Sequence, residues 1–314
     1  MKKWSLLSIL FSIILVLAAC GSKDEAQTDK TSGAGKDTIS ITHKYGKVTV
    51  KKNPKKVVVF DFGILDTLDE LGIKVTGVPQ AVVPPYLKEY ADPKKYTNVG
   101  SLKEPDFEAI HKLQPDIIFI SARQAELYDQ FAEIAPTVYV DFDYTKYMDS
   151  FEKNMKLVGQ IFGKEDQVAS ELKDVKAKAD EVSSDIKGNG QKALIVLANE
   201  GKISAYGPNS RFGLIHDVFG FGAADKNIEV STHGQTVTFE YIMEKNPDVL
   251  FVIDRNVAVG GEAGAKKAVE NELVEKTNAY KNDKIIYLDP DTWYLSGGGL
   301  KSFKLMADEI EAAL

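Results

Sequence analysis

Apolar residues gather in unbroken runs of strand length: VVVF at 57–60, IIFI at 117–120, ALIVLA at 193–198 and VLFVI at 249–253. Runs rich in Val and Ile with no polar alternation predict strands covered on both faces, the pattern of parallel sheets. Between the second and third runs, residues 148–188 carry apolar side chains at helical spacing and no proline. That segment predicts one long helix, bent near Gly163.

The pattern also repeats. PDFEAIHKLQPDIIFISAR at 105–123 can be laid on VTFEYIMEKNPDVLFVIDR at 237–255, with Pro-Asp eight residues and Arg sixteen residues after the Phe in both. Each copy predicts a short helix capped by Asp106 or Thr238, a break before Pro115 or Pro247, a buried strand, and an arginine at the strand's carboxyl end. Glu108 and Glu240 are read as capping partners. The expected fold is α/β: two Rossmann-like lobes, 40–148 and 188–314, joined by a single long helix at 149–187, with a ligand cleft between the lobes.

The first residues have another character. Lys2 and Lys3 precede an apolar stretch broken by Ser5, Ser8 and Ser12, then Ala18, Ala19 and Cys20. This is the layout of a secretory signal, 1–20, and the stretch is short for a membrane span of roughly 20 apolar residues. LAAC resembles the bacterial lipobox, which makes Cys20, the sole cysteine, a lipid attachment point and rules out an internal disulfide. Residues 21–39 are polar and rich in Gly, Ser and Lys, the composition of a flexible tether. Loss of the first 19 residues takes the formal charge from -7 to -9. An acidic exterior of that kind argues against nucleic acid as a partner.

Against 36 lysines the chain has only three arginines, Arg123, Arg211 and Arg255. Two occupy the same place in the repeat, and Arg211 lies in the turn AYGPNSRFG before a new helix. Guanidinium is planar, weakly hydrated and permanently charged, so it grips anionic oxygens by paired hydrogen bonds and stacks on aromatic rings. Three of them in one cleft would need acids or an anionic ligand beside them. Tyr206, Asn209, Phe212, His233, Gln235, Trp293 and Tyr294 fall on loops around the same places. Trp293 and Tyr294 either face the cleft or pack beneath the final helix.

Lipobox, tether, two repeated α/β lobes and a spanning helix together resemble the substrate-binding lipoproteins of ABC importers for iron siderophores and cobalamin. The EPDFEAIHKLQPDIIFIS, NEGKISAYGPNSRFGLIHDVFGFGAAD and THGQTVTFEYIMEKNPDVLFVIDR segments carry the resemblance. It is closest to Gram-positive binding proteins for ferric petrobactin and related catecholates. The resemblance implies a monomeric, non-enzymatic receptor whose three arginines surround an anionic ferric siderophore. It further implies an ABC permease as partner, docked through Glu126 on one lobe and Glu262 on the other, and attachment to the outer face of the cell membrane through Cys20.

No cofactor is expected, and no direct metal ligand, because the chelator supplies the iron donors. His43, His111, His216 and His233 are far apart in sequence and form no i, i+4 pair. A haem or cobalamin receptor of the same fold is the alternative. A surface-anchored hydrolase built on Ser296 of YLSGGG is a more distant one, since no G-x-S-x-G is present and no base can be named.

Overall fold

The computed structural model describes residues 37–314. Cys20, the signal and most of the tether lie outside them. An antiparallel hairpin, β1 (Thr38–His43) and β2 (Gly46–Lys51), opens the described chain. The first lobe follows. Its sheet contains β3 (Val57–Val59), β4 (Gly77–Val78), β5 (Thr97–Asn98), β6 (Ile117–Ile120) and β7 (Thr137–Tyr139), all parallel, in the order β5-β4-β3-β6-β7. Helices α1 (Phe62–Glu70), α2 (Phe107–Leu113) and α3 (Tyr128–Ile134) connect and cover it.

The second sheet contains β8 (Lys192–Asn199), β9 (Lys202–Tyr206), β10 (Gly222–Ala223), β11 (Gln235–Val237), β12 (Val249–Asp254) and β13 (Ile285–Leu288). Its order is β11-β9-β8-β12-β13, with β10 also on β8. β8, β12 and β13 run parallel, whereas β9 and β11 are antiparallel additions. In each lobe the strand order reverses beside the central strand, at β3/β6 and at β8/β12. Such switch points leave a crevice beyond the carboxyl ends of the strands.

The repeat is structural down to its caps. Asp106 accepts from the Ala109 amide at 2.9 Å and Thr238 from the Tyr241 amide at 3.4 Å. α2 and its counterpart α7 (Phe239–Lys245) both end on a left-handed residue, Gln114 at φ 49° and Asn246 at φ 41°. After the proline, Asp116 accepts from the Lys55 and Lys56 amides and Asp248 from the Lys192 amide, tying each copy to the start of the neighbouring central strand.

One expectation needs correction. Residues 147–186 form two helices, α4 (Tyr147–Phe162) and α5 (Glu165–Ile186), instead of one long helix. Gly163 takes φ 63°, ψ 41°, and both its own amide and that of Lys164 return to the Gly159 carbonyl, which ends α4 outright. The chain then folds back: Glu152 of α4 pairs with Lys176 of α5. Gly159 permits this, because a Cβ there would already touch Val168 at 3.2 Å. The short helices α6 (Leu214–Asp217), α8 (Arg255–Ala258), α9 (Ala265–Val269) and α10 (Asn278–Lys281) precede the last, α11 (Leu300–Ala312).

Every central strand divides its side chains between two cores. Val57, Val59, Ile117 and Phe119 of the first lobe belong to the same buried cluster as Ile195, Leu197, Phe251 and Ile253 of the second, joined through α1, α4, α5 and α11. The opposite faces close separate clusters under α2 and α3 in one lobe and under α7, α9 and α10 in the other. A continuous apolar core therefore runs from sheet to sheet. Among the described residues no helix is long and apolar enough to cross a membrane.

Candidate functional site

Each arginine is delivered by a local device. Arg123 follows β6 on a short 3-10 turn pinned by Gln124, a fully buried side chain that accepts from the Ser121 amide and donates to the Leu102 carbonyl. Arg255 opens α8 directly after β12. Asp254 caps that helix through the Asn256 amide and also receives the amides of Gly264 and Ala265, so the surrounding loop is fixed by one carboxylate. Arg211 leaves a tight turn in which Asn209 adopts φ 61° and its amide donates to Asp217 at 2.6 Å.

The three side chains converge on Tyr294. Arg123 and Arg211 both donate through Nη2 to its carbonyl oxygen, each at 2.6 Å, although one comes from the first lobe and the other from the second. Arg255 donates through Nε to the Tyr294 hydroxyl at 3.2 Å and through Nη1 to Asn199 at 2.9 Å. The guanidinium carbons lie 4.2 Å (Arg211), 5.4 Å (Arg123) and 6.0 Å (Arg255) from the centre of the Tyr294 ring, within the range of cation–π attraction.

The electrostatics follow from this crowding. Burial pulls the Arg123 pKa below its ordinary value and the neighbouring Arg211 charge pulls it further, with Asp61 partly opposing them. Burial alone would raise the Tyr294 phenol; the arginine charges and the bond from Arg255 overcome that and leave it below the ordinary tyrosine value. All ion pairs among the described residues are made by lysines. The arginine cluster thus holds positive charge without a paired carboxylate, which is costly unless an anion completes it.

Tyr206 extends the site. It is 1% exposed, meets Phe212 edge-on at 4.6 Å, and its hydroxyl has no hydrogen-bond partner among the described residues. Burial raises its pKa to about 12, with Arg211 opposing. Phe212 lies beneath Arg211, 5.2 Å from the guanidinium carbon.

None of the other expected residues hydrogen-bonds to an arginine among the described residues. Trp293 does not face the arginines: it is 3% exposed and donates its indole N–H to Glu309 of α11 at 2.7 Å. The wide turn Asp291–Ser296 sends these two adjacent aromatics in different directions. Asn209 is exposed and serves its turn, His233 is exposed, and Gln235 accepts from the Glu229 amide. Ser296 is buried and donates to the Asp291 carbonyl. Glu126 and Glu262 are both exposed.

Asn199 and Asp61 were missed in the sequence. Asp61 lies just past β3 and Asn199 ends β8, the central strands of the two sheets, and the switch-point rule could have found both had the strand order been known. Phe142 and Tyr144 were missed as well; Phe142 packs on Gly298 beside the Tyr294 turn and on Tyr144. Among the described residues no group of three or more His, Cys, Asp or Glu side chains could hold a metal ion.

Two α/β lobes that bring arginines to the carboxyl ends of β6 and β12, each beside its sheet's central strand, define a two-lobed solute-binding protein. The chain belongs to the periplasmic binding protein family, whose model matches residues 57–292. It is 50% identical to the petrobactin-binding protein YclQ of Bacillus subtilis, across 100% of this chain and 99% of that one. The crystal structure of YclQ superposes with a TM-score of 0.86 at 51% identity, covering 88% of this chain and 99% of the other. The periplasmic catecholate-siderophore binding protein VctP of Vibrio cholerae superposes with a TM-score of 0.82 at 35% identity, covering 88% and 100%. The ferric-anguibactin-binding protein FatB of Vibrio anguillarum is 31% identical over 87% of this chain and 86% of its own.

Proposed function

We propose that this protein is a lipid-anchored, extracytoplasmic receptor that binds an anionic ferric siderophore of the petrobactin-like catecholate class and passes it to an ABC permease. The observation that carries the reading is the meeting of Arg123, Arg211 and Arg255 around Tyr294 with no carboxylate paired to them among the described residues. A ferric catecholate offers negative oxygens to the guanidinium groups and flat rings to stack between them. The unpartnered Tyr206 hydroxyl adds a donor that is expensive to leave unmet, about 1–3 kcal/mol. The printed functions of YclQ, VctP and FatB point the same way.

In this reading residues 1–20 are the signal, Cys20 carries the lipid, 21–39 tether the protein to the extracytoplasmic face of the cell membrane, and the cleft lies between lobes 40–148 and 188–314. The protein performs no chemistry on its cargo, and Ser296, tied to a backbone carbonyl, offers no nucleophile. Glu126 and Glu262 are the proposed docking points for the permease.

A ligand panel tests this. Trp293 adjoins Tyr294, so its fluorescence reports on the cluster. Quenching is expected with ferric petrobactin and ferric catecholates and not with ferric hydroxamates. Soret shifts with haem, and no quenching by ferric catecholates, would sink the siderophore reading.

A further inference from the structure

Helix α11 has Gly299 at its N-cap position, a residue with no side chain to cap it. The first amides of a helix are orphans unless something outside the ladder receives them. Here the receivers come from the other lobe. Thr67 Oγ1 accepts from the Leu300 amide at 3.2 Å, Asp66 Oδ1 from the Lys301 amide at 3.3 Å, and Asp66 Oδ2 from the Ser302 amide at 3.0 Å. Asp66 and Thr67 sit on α1, and both are fully buried.

The approach is as close as glycine permits. A Cβ at residue 299 would fall on Asp66 Oδ1 and on the Gly63 carbonyl, and one at Gly63 would meet the Ser296 carbonyl at 2.8 Å. Tyr86 donates to Asp66 Oδ2 at 3.0 Å, closing the carboxylate's remaining side. The capped turn is then bonded back to the Tyr294 segment: Ser302 Oγ donates to the Ser296 carbonyl at 2.8 Å and accepts from the Gly299 amide at 3.1 Å. Tyr147 of α4 adds a bond to the Gly297 carbonyl at 2.7 Å.

We infer that Asp66 is a positioning residue for the ligand site: a buried carboxyl of the first lobe that fixes the 291–299 turn of the second, and with it the Tyr294 group on which all three arginines meet. A mere packing role would require neither donors from the opposite lobe nor a continuous path to residue 296. Burial holds the carboxyl up at about 7, against the bonds from Ser302, Tyr86 and Lys301 that favour ionisation. Either protonation state retains acceptor oxygens for the α11 amides. The significance of this placement for function rests on the arginine cluster being the ligand site.

The test reads Tyr294 without ligand. With ring-labelled tyrosine, the Tyr294 phenol is followed by NMR titration in the parent, in Asp66→Asn and Ser302→Ala, and in Ile110→Val, a destabilising change in the separate outer core of the first lobe. Arg211→Ala calibrates the signal of a broken cluster. Expected is a depressed titration in the parent and in Ile110→Val, moving up toward the ordinary tyrosine range in both Asp66→Asn and Ser302→Ala, with about tenfold weaker ferric catecholate binding in each. Tyr294 titrating in both variants as in the parent would overturn the inference. If Asp66→Asn does not fold, Ser302→Ala alone decides in the same two directions. A cluster that bound no siderophore would still show the shift, so the two readings fail separately.

Discussion

Arg211 makes the shortest ring contact in the cluster, with the Tyr294 ring at 4.2 Å, and adds Phe212 at 5.2 Å and the Tyr294 carbonyl. Lysine at this position keeps the charge and loses both the planar stack and the fork of donors. Arg211→Lys is expected to weaken ferric catecholate binding by roughly 10-fold and Arg211→Ala by up to about 100-fold, on the order of 1.4 and 2.8 kcal/mol, measurable by fluorescence quenching. Tyr294→Phe keeps the ring and its carbonyl and removes only the acceptor for Arg255 Nε, so a loss of about 3-fold to 10-fold is expected there. A Tyr294→Phe protein that lost as much as Arg211→Ala would show that the hydroxyl, and not the stack, dominates. Scarcity and the repeat made the arginines legible from sequence. Nothing made Tyr294 distinguishable from Trp293, because a wide turn has neither the period of a helix nor that of a strand to say which side chain faces where.

At the level of elements, two left-handed residues end equivalent helices, and only one is an amino acid suited to it. Asn tolerates φ above zero; Gln114 pays the Cβ penalty in full. Gln114→Gly should raise stability by about 0.5–1 kcal/mol, while Asn246→Gly should change it less. Gly163→Ala, at φ 63° between α4 and α5, should cost about 1 kcal/mol or more. Denaturant midpoints at unchanged slope would check all three. That glycine also shows why the helical hairpin was not read from the chain. Apolar spacing records which face of a helix is buried, and α4 and α5 bury a face whether they run straight on or turn back. The reversal depends on one left-handed residue and on the bare surface of Gly159, neither of which disturbs the period. The repeat was legible for the opposite reason, since its caps, breaks and strands each leave a residue type at a fixed position.

At the scale of the molecule, the lobe junction should titrate. Asp66 is raised from 3.8 to about 7 by burial, so the native protein binds a proton that the unfolded chain has already released. Its contribution to stability is whole below about pH 4 and is lost as pH rises through 7, up to a few kcal/mol. The groups facing it are Tyr86, Tyr147 and the Ser302 turn; the Lys301 ammonium lies toward Asp69, at 3.6 Å. Asp66→Asn should flatten this part of the profile, seen by denaturation at several pH values between 4 and 8. Transport asks a different question of the surface. Glu126→Arg should reduce siderophore uptake by cells and leave affinity for the ferric complex unchanged; equal uptake would remove Glu126 from the docking proposal. The apolar cluster that passes from Val59 and Phe119 through the helices to Ile195 and Phe251 has a consequence for how the molecule comes apart. Neither sheet can lose its inner face without stripping the other's, so scanning calorimetry should record a single endotherm, with calorimetric and van't Hoff enthalpies equal, from a protein that has two sheets and one melting unit.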